Sequence, residues 1–157
     1  MNIKMLGAFA AVALLAACAT PPTAETSGSG TTVATAGPVA GSQEDLVKNV
    51  GDRVFFAFNK STLAADAHAT LDRQAGWLKQ YMQNNVQLAG NCDDRGTEEY
   101  NIALGQRRAN AARDYLVAKG VAGSRVTAIS FGKDRPTAMG DDEQAWTQNR
   151  NAITSVR

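Results

Sequence analysis

From Ala19 to about Ser42 the chain is mostly Pro, Thr, Ala, Gly and Ser, with Glu25 its only charge and no aromatic residue. Such a stretch has too little apolar surface to bury a core and is expected to be a disordered tether. Its two dozen residues reach about 80 Å pulled straight and roughly 25–30 Å as a coil. Whatever folds must therefore lie beyond it. From about Gln43 the composition changes: all tryptophans and tyrosines lie here, with apolar and charged residues interleaved. Roughly 115 residues suit one compact domain with one core, and no internal repeat is visible.

Within that domain, β-prone runs alternate with helical periods. Arg53–Phe58 is short, aromatic and strand-like. A helix is expected from Ser61 or Thr62 as cap to about Gln83, with Ala67, Leu71, Ala75, Leu78 and Met82 as its apolar stripe. Val86–Ala89 reads as a second strand. Thr97 followed by Glu98 and Glu99 starts a second helix, which runs to about Lys119 and ends at Gly120. Its expected core stripe is Tyr100, Leu104, Ala111 and Tyr115. Arg125–Phe131 and Arg150–Val156 supply two more strands, with a short helical turn near Trp146 between them. The order predicts an α/β sandwich, helices packed on one mixed sheet.

The N-terminus has a different task. Lys4 precedes an apolar run, Met5–Ala17, of thirteen residues. That is short of the roughly twenty a membrane span needs and fits a cleaved export signal. The run ends Leu15-Ala16-Ala17-Cys18, which resembles the lipobox of bacterial lipoproteins. The resemblance implies removal of residues 1–17 and acylation of Cys18, a thiolate being the nucleophile that can take the lipid. Several acyl chains give stable anchoring where one does not. Residues 18–43 then form the lipidated cysteine and linker, and residues 44–157 the domain. Ala19 after the cysteine, in place of an inner-membrane-retaining Asp, favours the outer membrane.

The most informative stretch is Gly90-Asn91-Cys92-Asp93-Asp94-Arg95-Gly96-Thr97 and the helix it feeds. Asn101, Leu104 and Arg108 project from neighbouring positions on one side of that helix. An arginine beside an apolar stripe is costly if dry and unpaired, so Arg108 is expected at the stripe's edge with a carboxylate partner. Gly105 lowers helix propensity by about 1 kcal/mol relative to Ala, which suits a close approach by some other group. Two readings of Asp93 and Arg108 stay open from spacing alone. They pair with each other or with neighbours to stabilise the turn, or they are held apart at a groove. In the second case they suit a zwitterion, the Asp taking an ammonium and the planar Arg a carboxylate.

The segment from Gly90 to Ala111 resembles the signature of the OmpA-like peptidoglycan-binding domain family, above all its lipid-anchored members. The pattern of Asp, then Gly three on, Asn eight on, Leu eleven on and Arg fifteen on is met by Asp93, Gly96, Asn101, Leu104 and Arg108. Val54–Phe58, Ser130–Pro136 and Trp146–Arg150 are similar to further family stretches. The resemblance implies a βαβαββ domain that binds peptidoglycan through the diaminopimelate side chain. Asp93 would receive the ammonium and Arg108 the carboxylate. Asn101 would order the site, with Leu104 beside it, and the Phe58-Asn59 turn would line it partly through backbone amides. It also implies TolB and the other Tol proteins as partners, besides peptidoglycan and the outer-membrane lipid reached through acylated Cys18. Asn59 stands where an Asp is usual, Ala57 where Gly or Asp is common, and Asn151 where an Arg is frequent.

Other chemistries find little support. The sole histidine, His68, is placed on an exposed helix face, and adjacent Asp93 and Asp94 do not aim at one reacting centre. Cys92, left without a partner once Cys18 carries lipid, reads as a small hydrophobe beside a strand end. No cofactor or metal is implied. With residues 1–17 removed the opposite charges nearly balance, which offers no basic field for nucleic acid. The expectation is a binding protein, not an enzyme such as a peptidoglycan hydrolase. A lipid-anchored scaffold for a protein partner, with weak wall binding, is the alternative.

Overall fold

The computed structural model describes residues 37–157. The export signal, Cys18 and nearly all of the expected tether lie outside the described residues. No described helix is long and apolar enough to cross a membrane.

Four strands form one sheet in the order β1-β4-β2-β3: β1 (Arg53–Phe55), β2 (Val86–Asn91), β3 (Val126–Gly132) and β4 (Asn151–Val156). β4 is antiparallel to both β1 and β2, while β2 and β3 run parallel, as a strand–helix–strand crossover demands. Leu88 sits opposite Thr154 and Ala128. Between Gly90 and Asn91 the parallel register slips, and the chain leaves the sheet into the signature turn. The mixed sheet and its two long helices, α2 (Ala65–Gln80) and α3 (Glu98–Ala118), are those expected from the alternating pattern. The short helix α4 (Glu143–Asn149) occupies the expected turn near Trp146.

The core lies between the sheet and α2 and α3: Val54, Val86, Leu88, Val126 and Ala152 meet Leu71, Leu78, Ala109, Ala112 and Leu116. Two details of the expected stripes differ. α2 ends at Gln80, so Met82 is 74% exposed. The end is set from outside the helix, because the Arg125 guanidinium donates to the carbonyls of Leu78, Tyr81 and Asn84, groups a helix terminus leaves without partners. On α3 the buried face is rotated by about one residue from the expected stripe. Leu104, Arg108, Ala109, Ala112 and Leu116 are buried, whereas Tyr100 is exposed and Ala111 and Tyr115 are half-buried. The helix turns its alanines inward because the backbone of β2 lies close beneath it.

Gly105 explains that closeness. A Cβ on Gly105 would overlap Ser130 Oγ and stand 2.8 Å from the Gly90 carbonyl oxygen, and one on Gly90 would overlap the Gly105 carbonyl. What approaches the helix closely at Gly105 is thus the sheet itself.

Ahead of the sheet, α1 (Gln43–Asp45) runs into a π-helical turn (Leu46–Val50) that buries Leu46. Sequence periodicity did not reveal this segment. The Asp45 carboxylate organises it, accepting from Trp77 Nε1 (2.8 Å), Gly41 N (2.9 Å) and Asn49 Nδ2 (2.7 Å). The Trp77 bond first, then the other two, hold its pKa below the ordinary Asp value. Gln43 brackets the end of β4, donating to Thr154 O and accepting from Val156 N. Gly41 is held as well, its carbonyl accepting from Asn84 Nδ2 at 2.7 Å.

Helix propensity alone predicts that Gly105→Ala stabilises α3 by about 1 kcal/mol. The packing predicts the reverse, a loss of about 1–3 kcal/mol from overpacking. Urea unfolding of the variant distinguishes the two by the sign of the change.

Candidate functional site

The end of β2, the loop after β1 and the first half of α3 converge on a cleft of about 190 Å³, room for a ligand of side-chain size and far more than one water. Phe58, Asn59, Asp93, Asn101, Leu104 and Arg108, the six residues expected at a ligand site, all line it, joined by Cys92, Arg95, Gly96 and Tyr100.

Each wall has a local cause. Thr97 caps α3 by accepting from Tyr100 N, with Glu98 and Glu99 placed favourably in its first turn. Gly96 lies at φ +93°, a conformation that favours glycine. Asn101 ties the turn to the helix by donating to Arg95 O (2.9 Å) and Thr97 O (3.1 Å). Across the cleft Asn59 is left-handed at φ +56°, a region Asn and Asp tolerate better than other side chains. Its Oδ1 accepts from Tyr100 O–H. Asn59 therefore holds the turn geometry and a hydrogen bond without carrying a charge.

Arg108 is 1% exposed. Its Nε donates to Lys60 O (2.9 Å), Nη1 to Asn91 O (2.8 Å) and Cys92 Sγ (3.4 Å), and Nη2 to Ala57 O (3.2 Å). No carboxylate pairs with it among the described residues. The expected partner at the stripe's edge is replaced by three backbone carbonyls and a sulfur deep in the fold. Burial pulls its pKa below the ordinary Arg value, yet a guanidinium stays charged. The same burial pushes the Cys92 thiol up. Cys92 is buried and donates to Asn101 O, as a small core residue would.

Asp93 is 5% exposed and does not pair with Arg108. Its Oδ2 accepts from Arg95 Nη2 at 2.6 Å and Arg150 Nη1 at 3.3 Å. Burial raises its pKa, but the Arg95 and Arg150 hydrogen bonds outweigh this and leave it below the ordinary Asp value. Arg150 continues to Glu143 (2.7 Å), Thr147 Oγ1 and Phe56 O. The Arg95 guanidinium lies between the rings of Phe58 (4.1 Å) and Trp146 (4.0 Å).

Sequence reasoning did not single out Arg95, Trp146, Glu143 or Arg150 as site residues. A signal was available for three of them: Glu143, Trp146 and Arg150 are spaced three, then four, and so share one face of a short helix. Asn151 is buried and bonded to Asn91 and Thr137.

Comparison with known proteins bears on the fold and the family. A model of the OmpA family matches residues 55–150. The chain is 48% identical over 140 residues to a peptidoglycan-associated lipoprotein of Rhizobium meliloti (strain 1021), covering 89% of this chain and 80% of that protein. It is 55% identical over 116 residues to one of Mesorhizobium japonicum, covering 74% and 69%. The crystal structure of the peptidoglycan-associated lipoprotein from Burkholderia pseudomallei matches at 40% identity with a TM-score of 0.66, over 68% of this chain and 90% of that one. The C-terminal domain of Helicobacter pylori MotB, 18% identical with a TM-score of 0.63 over 68% and 84% of the two chains, shares the fold. The family model takes in most of the folded domain, and these relatives are matched over most of their own length; the chain belongs to the OmpA family, in the branch of the peptidoglycan-associated lipoproteins.

Proposed function

We propose that this is an outer-membrane lipoprotein whose periplasmic domain binds peptidoglycan non-covalently through the diaminopimelate side chain. The observation that carries the reading is the buried Arg108 cation, without a carboxylate of its own, in one cleft with the Asp93 anion. Arg108 takes the ligand carboxylate and Asp93 the ammonium. Asn101 holds the turn between them, and Phe58, Asn59 and Leu104 line the aliphatic part. Binding, not bond cleavage, is the function. Lipid on Cys18 supplies the other end, so that tether and domain together join outer membrane to wall. Many modest attachments confined to one gap hold through multivalency. The resemblance of the signature motif motivates TolB and the other Tol proteins as partners, and a role in envelope integrity at division.

Arg108 has five N–H groups and spends four on the protein. A carboxylate gripped at two points must therefore displace the weakest of these, the 3.4 Å contact with Cys92 Sγ.

Retention on isolated sacculi tests the proposal. The domain should be retained, and Asp93→Asn should weaken retention by about tenfold or more, as expected for losing one member of a charged contact. Failure of the unaltered domain to bind sinks the proposal. Arg108→Lys keeps a charge but cannot reach the carbonyls of Ala57, Lys60 and Asn91 together; unchanged retention would refute carboxylate recognition by the guanidinium.

Because the folded pKa of Asp93 is depressed, its contribution to stability is present above the unfolded value of about 3.9 and is lost as pH falls through the folded value. Sacculus binding should accordingly be flat from about pH 7.5 to 5 and fall only below about pH 4, followed in a pull-down across pH.

A further inference from the structure

The charges around the cleft are not symmetric. Asp93 and Glu143 face Arg95 and Arg150 in a closed ring: Arg95–Asp93 2.6 Å, Asp93–Arg150 3.3 Å, Arg150–Glu143 2.7 Å and Glu143–Arg95 4.0 Å. Two anions meet two cations, and the ring is neutral. Arg108 stands outside it. The free cleft thus presents one uncompensated charge, a cation, and the carboxylate meant for an ammonium is already neutralised.

The two arginines of the ring differ in how firmly they are held. Arg150 is buried and uses Nε, Nη1 and Nη2, bonding Phe56 O, Asp93, Glu143 and Thr147. Arg95 has a third of its side chain exposed and one short bond to a carboxylate. Its Nε is buried without a partner, and its guanidinium carbon sits over the rings of Phe58 and Trp146. Stacking of this kind lets a guanidinium slide in its plane at little cost, whereas directed hydrogen bonds do not.

We infer that Arg95 is the specificity-determining residue of the cleft, a displaceable counter-ion that guards Asp93 against simple amines. This rests on the zwitterion reading of the site. A lone ammonium meets a carboxylate whose charge Arg95 and Arg150 already neutralise through Oδ2, and it brings a second positive charge beside Arg108. A ligand that carries a carboxylate as well neutralises Arg108 and only then displaces Arg95 toward Glu143. Recognition is therefore ordered by charge: anion first, cation conditional on it.

Three seven- or five-carbon probes separate these contributions: meso-diaminopimelate, pimelate with the carboxylates alone, and cadaverine with the amines alone, each titrated by NMR against the whole domain. The unaltered protein should bind meso-diaminopimelate best, pimelate detectably and cadaverine least. Arg95→Gln should tighten cadaverine by about fivefold or more without tightening pimelate, and Arg95→Lys, which keeps the charge, should gain less. A merely structural role for Arg95 predicts weakening for all three probes. Cadaverine binding no tighter in Arg95→Gln, or cadaverine equal to pimelate in the unaltered protein, overturns the inference while leaving the site reading intact. Absence of meso-diaminopimelate binding to the unaltered protein overturns the site reading, and the inference with it.

Discussion

The interior guanidinium of Arg108 is the contact on which the arrangement of the cleft depends. Three of its bonds go to backbone carbonyls distant in sequence: Ala57 and Lys60 in the loop after β1, and Asn91 at the end of β2. A side chain bridging three segments acts as a rivet, and the positive charge strengthens every bond it makes. The cost of burying such a group is high unless its donors are met, and here the carbonyls meet most of them. Beyond this loop, α2 starts only at Ala65, later than the expected cap at Ser61 or Thr62.

Charge in the turn is handled in another way. Asp93 is too buried to rely on water, and its two arginines come from separate places, one in the same turn two residues on and the other at the end of α4. α4 is thereby tied to the signature turn by ion pairs and by the stack of Trp146 on Arg95. Its seven residues would be a marginal helix in isolation, so these contacts, with the Asp142 cap on Ala145 N, are what hold it.

Much of this was legible in the amino-acid order. Alternation at Val86–Ala89 and Arg125–Phe131, the Thr97 cap and Gly120 after the last turn placed β2, β3 and α3 to within a residue or two, whereas β1 ends at Phe55, three residues short of the expected Phe58. The residues that carry the resemblance, Asp93, Gly96, Asn101, Leu104 and Arg108, line one cleft in the fold. What could not be read follows from tertiary partners. Nothing near Leu78 signals that Arg125 will take its carbonyl, nor does anything near Gly105 say that the approaching group is Gly90. The partners of Arg108 are backbone atoms, which every residue has, so no side-chain pattern points to them. The segment at Gln43–Val50 gains its order from Trp77 and β4, far away in sequence.

The sheet order makes the cleft a product of long-range pairing. Among the described residues β1 is the first strand, yet its strand partner is β4, the last of the four. Until β4 pairs, β1 has no strand beside it in the sheet. Phe58 and Asn59 follow β1, and Arg150, which bonds Asp93, directly precedes β4, so this one closure positions both a cleft-lining turn and a member of the ion-pair ring. A chain lacking β4 would lose the Arg150 partner of Asp93 together with the strand that holds β1.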